Sequence, residues 1–325
     1  MAQDPLVSVI IPTHNRASLL PRAIESVLSQ TRKDWELVMV DDGSSDNTRE
    51  VVRSYCEQDG RIHYLGSPRA GVCAARNTGL ARATGRFVAF LDDDDYWLPE
   101  KLEHQVEFME QRPEIGVTYT RATVELAPGV INGSRLYPKD LINTFEDLLN
   151  WPNGPVFSSM MIRRRCFDGA GWFDLRYAIC EDFDLKLRYA QRWGIAGLDR
   201  LLTIQGSRDG RSQLTGDMTR NQLAAIQVLG ALPLIPRYRH LHRLRNRHIA
   251  RIHYQLAGDY FDLKRYREAG MHFLKAVVID PLVGLMVRRP DERGLQLLLR
   301  IGKSYAAPPV CLMRALKSAI AGAGG

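Results

Sequence analysis

The chain has 325 residues, 45% hydrophobic and 25% charged, which is ordinary for a globular protein with core enough for one large domain or two smaller ones. No apolar run reaches the ~18–20 residues that span a bilayer, the best being 223–236, broken by Gln227 and Pro233. The net charge of +7 is uneven: residues 1–204 hold 24 Lys+Arg against 29 Asp+Glu, and residues 205–325 hold 20 against 8. The second part therefore suits a polyanion or an anionic surface.

Short apolar runs alternate with helical patterns over the first 120 residues. Residues 6–11 read as a strand stopped by Pro12, and 18–29 as a helix with Leu19, Ala23, Ile24, Val27 and Leu28 on one face. Residues 36–40 form a second strand, stopped by Asp41-Asp42-Gly43, and 46–55 a helix with Asp46 as its N-cap. A strand at 61–65, a helix at 71–83, a strand at 86–91 and a helix at 99–111, with Pro99 in its first turn, follow. This βα alternation predicts an α/β fold, a mostly parallel sheet flanked by helices. Beyond it, 116–124 and 156–162 read as strands and 181–193 as a helix. Residues 206–216, rich in Gly, Ser, Asp and Arg, read as a loop. From 217 the chain reads as all-α and basic, and 250–281 resembles a single tetratricopeptide-like hairpin. The predicted division is 1–215 and 216–325, with 319–325 expected to be disordered. The five cysteines, Cys56, Cys73, Cys166, Cys180 and Cys311, form no CxxC pair. They read as reduced thiols of a cytoplasmic protein without a zinc site. No basic-then-apolar leader opens the chain, so no signal peptide is expected.

The chemistry starts at Asp92–Asp95, four aspartates directly after the strand Phe87-Val88-Ala89-Phe90-Leu91. Two like charges ~4 Å apart repel by about 1 kcal/mol in water and about 4 kcal/mol at an effective dielectric of 20. Such a cluster needs solvent or a cation. Carboxylate oxygens suit Mg²⁺ or Mn²⁺, and Mg²⁺ is commonly shared between one or two carboxylates and substrate phosphates. A hydrated acidic turn is the competing reading. PTHNR (12–16) and VDDGSSDNT (40–48) also sit at strand C-terminal ends, where α/β sheets bind ligands. CEDFDLKLR (180–188) opens a late helix.

Together with LDDDDYWLP (91–99), these segments resemble the family 2 glycosyltransferases, over roughly residues 5–205. The resemblance implies the GT-A fold and an inverting, metal-dependent transfer from a nucleotide-sugar, a UDP-sugar above all. The acceptor would be a glycan or a lipid-linked saccharide in surface polysaccharide synthesis. It places Pro12, Thr13, Asn15 and Arg16 beside the nucleotide. Asp42 would accept from a uracil N–H, and Asp41 would fix the loop or the ribose. Arg69 or Arg76 would neutralise diphosphate, aided by the helix start between them. Asp92 and Asp94 align with the family's Asp-x-Asp pair. Asp94 would be the direct metal ligand, and Asp92 or Asp93 would face ribose or metal-bound water. Trp97 and Pro99 would anchor the loop. Asp182 would be the general base, with Glu181 and then Asp184 as competitors.

One departure stands out. Many relatives carry a histidine in the loop after the last core strand, and 204–216 has none. Arg208 or Arg211 could supply charge there, in a loop expected to order on donor binding. A sugar nucleotidyltransferase is disfavoured because PTHNRAS lacks glycines for a triphosphate loop, and a Rossmann dehydrogenase because no GxGxxG follows the first strand. A non-catalytic nucleotide-binding scaffold is disfavoured by the intact tetrad and Glu181-Asp182. The basic run 237–253 reads as a solvated helix face or a dock for anionic lipid, placing the protein peripherally on the cytoplasmic face of a membrane. Nucleic acid is disfavoured because no stacking platform accompanies it.

Overall fold

The computed structural model describes residues 4–127, 129–131, 141, 143–150, 154–206, 218–281 and 283. The expectations for 207–216 and 319–325, including Arg208 and Arg211, lie outside these residues. Two compact units are present, Met1–Gln213 and Leu214–Gly325.

In the first unit the chain runs β1 (Val7–Thr13), α1 (Leu20–Leu28), β2 (Trp35–Asp42), α2 (Thr48–Gln58), β3 (Ile62–Ser67), α3 (Val72–Arg82) and β4 (Phe87–Phe90). It continues through β5 (Asp95–Trp97), α4 (Lys101–Glu110), β6 (Ile115–Ala127), β7 (Val130–Ile131) and α5 (Phe145–Asn150). A 3-10 turn at Phe157–Ser159 leads into β8 (Met160–Arg163), α6 (Arg164–Ala170), α7 (Glu181–Arg192) and β9 (Gly194–Gln205). The strands form one sheet in the order β3-β2-β1-β4-β8-β6-β9-β5, with β7 on β6.

β1, β2, β3 and β4 are parallel, as the βα alternation predicts. The rest is mixed: β8 is antiparallel to β4 and β6, β9 is parallel to β6, and β5 is antiparallel to β9. Both faces of β1 and β2 are covered, so every residue of these strands is buried and they read as near-continuous apolar runs. The order reverses between β1 and β4. In open α/β sheets ligands bind at such a switch point, outside the strands' C-terminal ends, which is where PTHNR and the tetrad lie.

Two local expectations are corrected. Pro12 does not stop β1, which pairs with β2 through Thr13. Ile10 bonds toward β4, and Pro12 faces that same side beyond the last β1–β4 pair, so its missing N–H costs no ladder bond. Asp46 is not the N-cap of α2. That position is Asn47, and Asp46 instead accepts at 3.0 Å from the N–H of Thr48, two residues on.

The core gathers α1 and α4 on the sheet through Leu20, Ile24, Val27, Leu102 and Val106. Each large aliphatic side chain buried there is worth about 1.5–3 kcal/mol. α3 lies close to β1 because Gly79 permits it: a Cβ there would come within 2.5 Å of Ile10 Cγ2.

The second unit is helical: α8 (Met218–Ala231), a 3-10 turn at Pro236–Leu241, α9 (His242–Asp262) and α10 (Tyr266–Ile279). α9 and α10 pack as a hairpin, burying Ala250, Leu256, Ala257, Ala269, Phe273 and Ala276.

Candidate active site

After β4 the chain turns through the tetrad, closed by the Asp95 N–H donating to the Asp92 carbonyl at 3.0 Å. The register Asp95↔Gln205 then carries β5 along β9. The four carboxylates therefore divide. Asp95 is buried, accepts from Ser158 Oγ at 2.6 Å and from the Gly206 N–H at 3.2 Å, and holds the turn rather than a ligand. Burial and the charges of Asp94 and Asp92 hold its carboxyl well above the usual range. Burial also pushes Asp93 up to about 7, with Thr13 and Arg16 opposing and Asp94 and Asp92 reinforcing. Asp92 and Asp94 are half-buried at the turn. The chain leaving β9 presses on it so closely that a Cβ on Gly206 would lie 1.9 Å from the Asp94 carbonyl oxygen.

The loops after β1 and β2 are tied together. Asn15, at φ 53°, accepts from the Ser45 N–H at 2.7 Å through its side chain, and its own N–H donates to Ser44 Oγ at 2.9 Å. The expected cofactor role of Asn15 thus meets a side chain already engaged in bracing the loops. Asp41 accepts from the Ser44 N–H and Tyr64 hydroxyl, both at 2.8 Å, which suits its expected role in fixing the loop. Asp42 accepts from the Ala70 and Gly71 N–H groups at 2.7 and 2.9 Å. One lone pair on each of its oxygens is thus used to seat the segment before α3, and one remains for a ligand. Gly43, at φ 74°, is needed there because a Cβ would lie 2.8 Å from the Arg69 backbone nitrogen. Pro12 is buried at the end of β1. The Thr13 hydroxyl is buried without a closed hydrogen bond, close enough to Asp93 to pull that carboxyl down. Arg16 approaches Asp93 at 3.9 Å, and Arg69 is exposed.

Arg76, expected near the diphosphate, lies within a buried ion-pair bridge. It is only 4% exposed and bridges Asp92 at 2.9 Å and Glu181 at 2.5 Å, its guanidinium 4.7 Å from the centre of the Phe157 ring. The bridge joins the tetrad to the first turn of α7. Cys180, at φ 63°, sets the sharp entry to that helix.

The three acids of that turn have different partners. Asp184 is 9% exposed and paired at 2.8 Å with Arg188, whose other nitrogens reach the carbonyls of Ala170, Gly171 and Trp172. This pairing braces the first turn of α7 against the segment 170–172. Glu181 is 12% exposed and committed to Arg76. Burial raises its carboxyl, with Arg76 opposing. Asp182 is 29% exposed, with Lys186 Nζ at 2.6 Å. Burial pushes its carboxyl up, but the Lys186 ammonium outweighs it and holds the group below the usual carboxylate range. Asp182 therefore stays ionised at neutral pH with open surface, as a proton acceptor requires.

Residues 8–168 match the family model for glycosyl transferase family 2. The chain belongs to this family. Its sheet and flanking helices are the GT-A fold. A candidate teichuronic acid glycosyltransferase of Bacillus subtilis, TuaG, is 48% identical over 110 residues, 33% of this chain and 43% of that protein. An Escherichia coli UDP-Glc:alpha-D-GlcNAc-diphosphoundecaprenol beta-1,3-glucosyltransferase, WfgD, is 49% identical over 107 residues, 33% of this chain and 42% of that protein. The chain spans less than half the length of these relatives. Among solved structures, Staphylococcus aureus TarS 1–349 in complex with UDP-GlcNAc superposes with TM-score 0.63 at 20% identity, over 86% of this chain and 83% of that one. A mannosyltransferase of Pyrobaculum calidifontis with GDP-Man and Mn²⁺ gives 0.57 at 17%, over 98% and 86%.

Among the described residues, no three His, Cys, Asp or Glu side chains form a ready-made metal set. Asp92 and Asp94 are half-buried on the turn, and one or two carboxylates are what Mg²⁺ takes when a diphosphate completes its shell. Oxygen-only carboxylate donors of this kind are the chemistry that Mg²⁺ or Mn²⁺ accepts. Sequence reasoning missed two residues that organise the site. Lys186 was readable, since i and i+4 share a helix face. Ser158, which accepts from the Asp92 N–H at 3.1 Å and bonds Asp95, carried no local signal.

Proposed function

We propose that the protein is an inverting glycosyltransferase that moves a sugar from a nucleotide-sugar, best a UDP-sugar, to a hydroxyl of a glycan or lipid-linked saccharide. The observation that carries this is the Asp92–Arg76–Glu181 bridge. It fixes the tetrad, where a diphosphate would sit, to the helix turn that holds the ionised Asp182.

In this reading the acceptor oxygen attacks the anomeric carbon as its proton passes to Asp182. The bond from that carbon to the diphosphate breaks, and its electron pair leaves with the diphosphate. One displacement inverts the centre, and no second nucleophile is required. Mg²⁺ or Mn²⁺, held by Asp94 and Asp92, would draw charge from the leaving diphosphate. Thr13 and Asp42 would meet the base, Asp41 the loop or ribose, Asp93 the ribose or a metal-bound water, and the exposed Arg69 with the half-buried Arg16 the phosphates. The UDP-GlcNAc complex of TarS, and WfgD as a UDP-Glc:alpha-D-GlcNAc-diphosphoundecaprenol glucosyltransferase, support this choice of donor and acceptor.

The basic run 237–253 supports a peripheral site on a membrane's cytoplasmic face. Arg237, Arg239, Arg243 and Arg247 are exposed, and among the described residues no helix is long and apolar enough to cross a bilayer. Nucleic acid and a sugar nucleotidyltransferase remain the weaker readings, for want of a stacking platform and of a glycine-bearing triphosphate loop.

The test is binding and turnover across a panel of nucleotide-sugars with Mn²⁺, Mg²⁺ or EDTA, on wild type and Asp94→Ala. Metal-dependent binding of one UDP-sugar, lost in the variant, is expected. Binding of none with any metal overturns the reading. Sedimentation with vesicles containing anionic lipid at low salt tests the membrane clause, which fails if the protein stays in the supernatant.

A further inference from the structure

We infer that Lys186 is a positioning residue for the transfer: clamped between the Pro155 carbonyl and Asp182 Oδ2, its ammonium fixes the charge and orientation of the base. The inference rests on the assignment of Asp182 as that base.

The geometry is specific. Lys186 lies one helical turn beyond Asp182 on α7, with Nζ 2.6 Å from Asp182 Oδ2 and 2.8 Å from the Pro155 carbonyl oxygen. The lysine is the closed partner and the carboxylate the open one, at 4% and 29% side-chain exposure. Gly154 packs over the amine, where a Cβ would sit 3.7 Å from Nζ. The Phe157 ring centre lies 6.0 Å away.

A solvated lysine would lose little by turning to water. This one is enclosed, so its charge is compensated by Asp182 and a carbonyl dipole, and moving it away would strand it. The neighbouring acids already have other cations, Arg76 for Glu181 and Arg188 for Asp184. Lys186 is therefore the cation paired with the most open of the three acids.

The arrangement serves a base that must be ready at each turnover. Before transfer the ammonium stabilises the ionised carboxylate. When the acceptor proton reaches Asp182, the adjacent positive charge favours its onward loss to water, which restores the carboxylate. Lys186 acts only through Asp182.

The experiment is carbon-13 NMR titration of the full chain labelled at aspartate carboxyls. The Asp182 resonance is identified by its loss in Asp182→Asn, and Lys186→Met, Lys186→Gln and Lys186→Arg are compared with wild type. Both neutral variants are expected to titrate Asp182 at higher pH, and Lys186→Arg near the wild-type pH. With the UDP-sugar that supports turnover, the neutral variants should lose about tenfold more kcat at pH 6 than at pH 8, with donor KM unchanged. Asp182 titrating at the wild-type pH in whichever neutral variant folds would overturn the inference. Absence of turnover by wild type with every nucleotide-sugar would sink the transferase reading instead, while the titration still decides whether Lys186 sets the state of Asp182.

Discussion

Replacing Arg76 with methionine keeps an unbranched apolar stem and removes the guanidinium that joins the tetrad to α7. Arg76 is 4% exposed and contacts Asp92 at 2.9 Å and Glu181 at 2.5 Å. Glu181 is the more enclosed acid, at 12% against 37% for Asp92, so its loss of a partner dominates. Removing one member of a buried ion pair costs about 3–5 kcal/mol. Solvent at Asp92 places the expected loss near the lower end, about 3 kcal/mol. The sign with pH follows from Glu181. Burial already raises its carboxyl above the ordinary value, and without Arg76 it rises further. A raised carboxyl favours the fold below the unfolded value and loses that contribution as pH rises through the folded one. The deficit in Arg76→Met should therefore be largest near pH 8 and shrink toward pH 5. Urea unfolding followed by tryptophan fluorescence reads this directly, because Trp35, Trp97, Trp151, Trp172 and Trp193 all lie in the first unit. With m unchanged, the midpoint should fall more at pH 8 than at pH 5, and adding Glu181→Gln should restore part of the loss. An unchanged midpoint, or a deficit equal at both pH values, would refute the bridge as drawn.

Gly206→Ala should fold less stably and bind nucleotide-sugar poorly, since its Cβ would fall 1.9 Å from the Asp94 carbonyl oxygen and must displace the tetrad turn; wild-type affinity by calorimetry would contradict this. Ser158→Ala leaves buried Asp95 without its 2.6 Å donor and should cost about 1–3 kcal/mol by urea unfolding. In the helical unit, His253 and His272 meet at 2.9 Å between their Nδ1 atoms. Burial, then the neighbouring His272 and Lys275, pushes His253 down to about 4, and burial and Lys275 also lower His272. Lowered imidazoles contribute stability above the unfolded value that is lost as pH falls through the folded one. Hydrogen exchange across 242–279 should accelerate between pH 7 and pH 4, after correction for intrinsic rates, and a His253→Leu/His272→Leu variant should flatten that trend. Identical profiles would remove the pair as the cause.

What was legible in the chain follows from where the physics is local. The strands β1 to β4 are apolar runs between helical periods, and their ends carry Asp41, Asp42 and the tetrad, so the place of the site could be read from periodicity and charge. Pairing direction is not local, so the antiparallel placements of β5 and β8 were not legible. Asp95 resembles its three neighbours in sequence and differs because β9 and Ser158 close over it. Arg76 was readable as a cation near the site, but its two carboxylate partners lie 16 and 105 residues away. The resemblance ranks Asp182 ahead of Glu181 and Asp184, and the structure adds that each acid takes its own cation, Lys186, Arg76 and Arg188.

The central claim is that Asp182 takes the acceptor proton while the tetrad holds the donor. Its most direct test is Asp182→Asn assayed for both binding and transfer with the UDP-sugar that wild type uses. The account requires donor affinity within a few-fold of wild type and turnover lower by about 10²–10⁴-fold, with wild-type product inverted at the anomeric carbon. Turnover by Asp182→Asn at the wild-type rate, or a product with retained configuration, would contradict it.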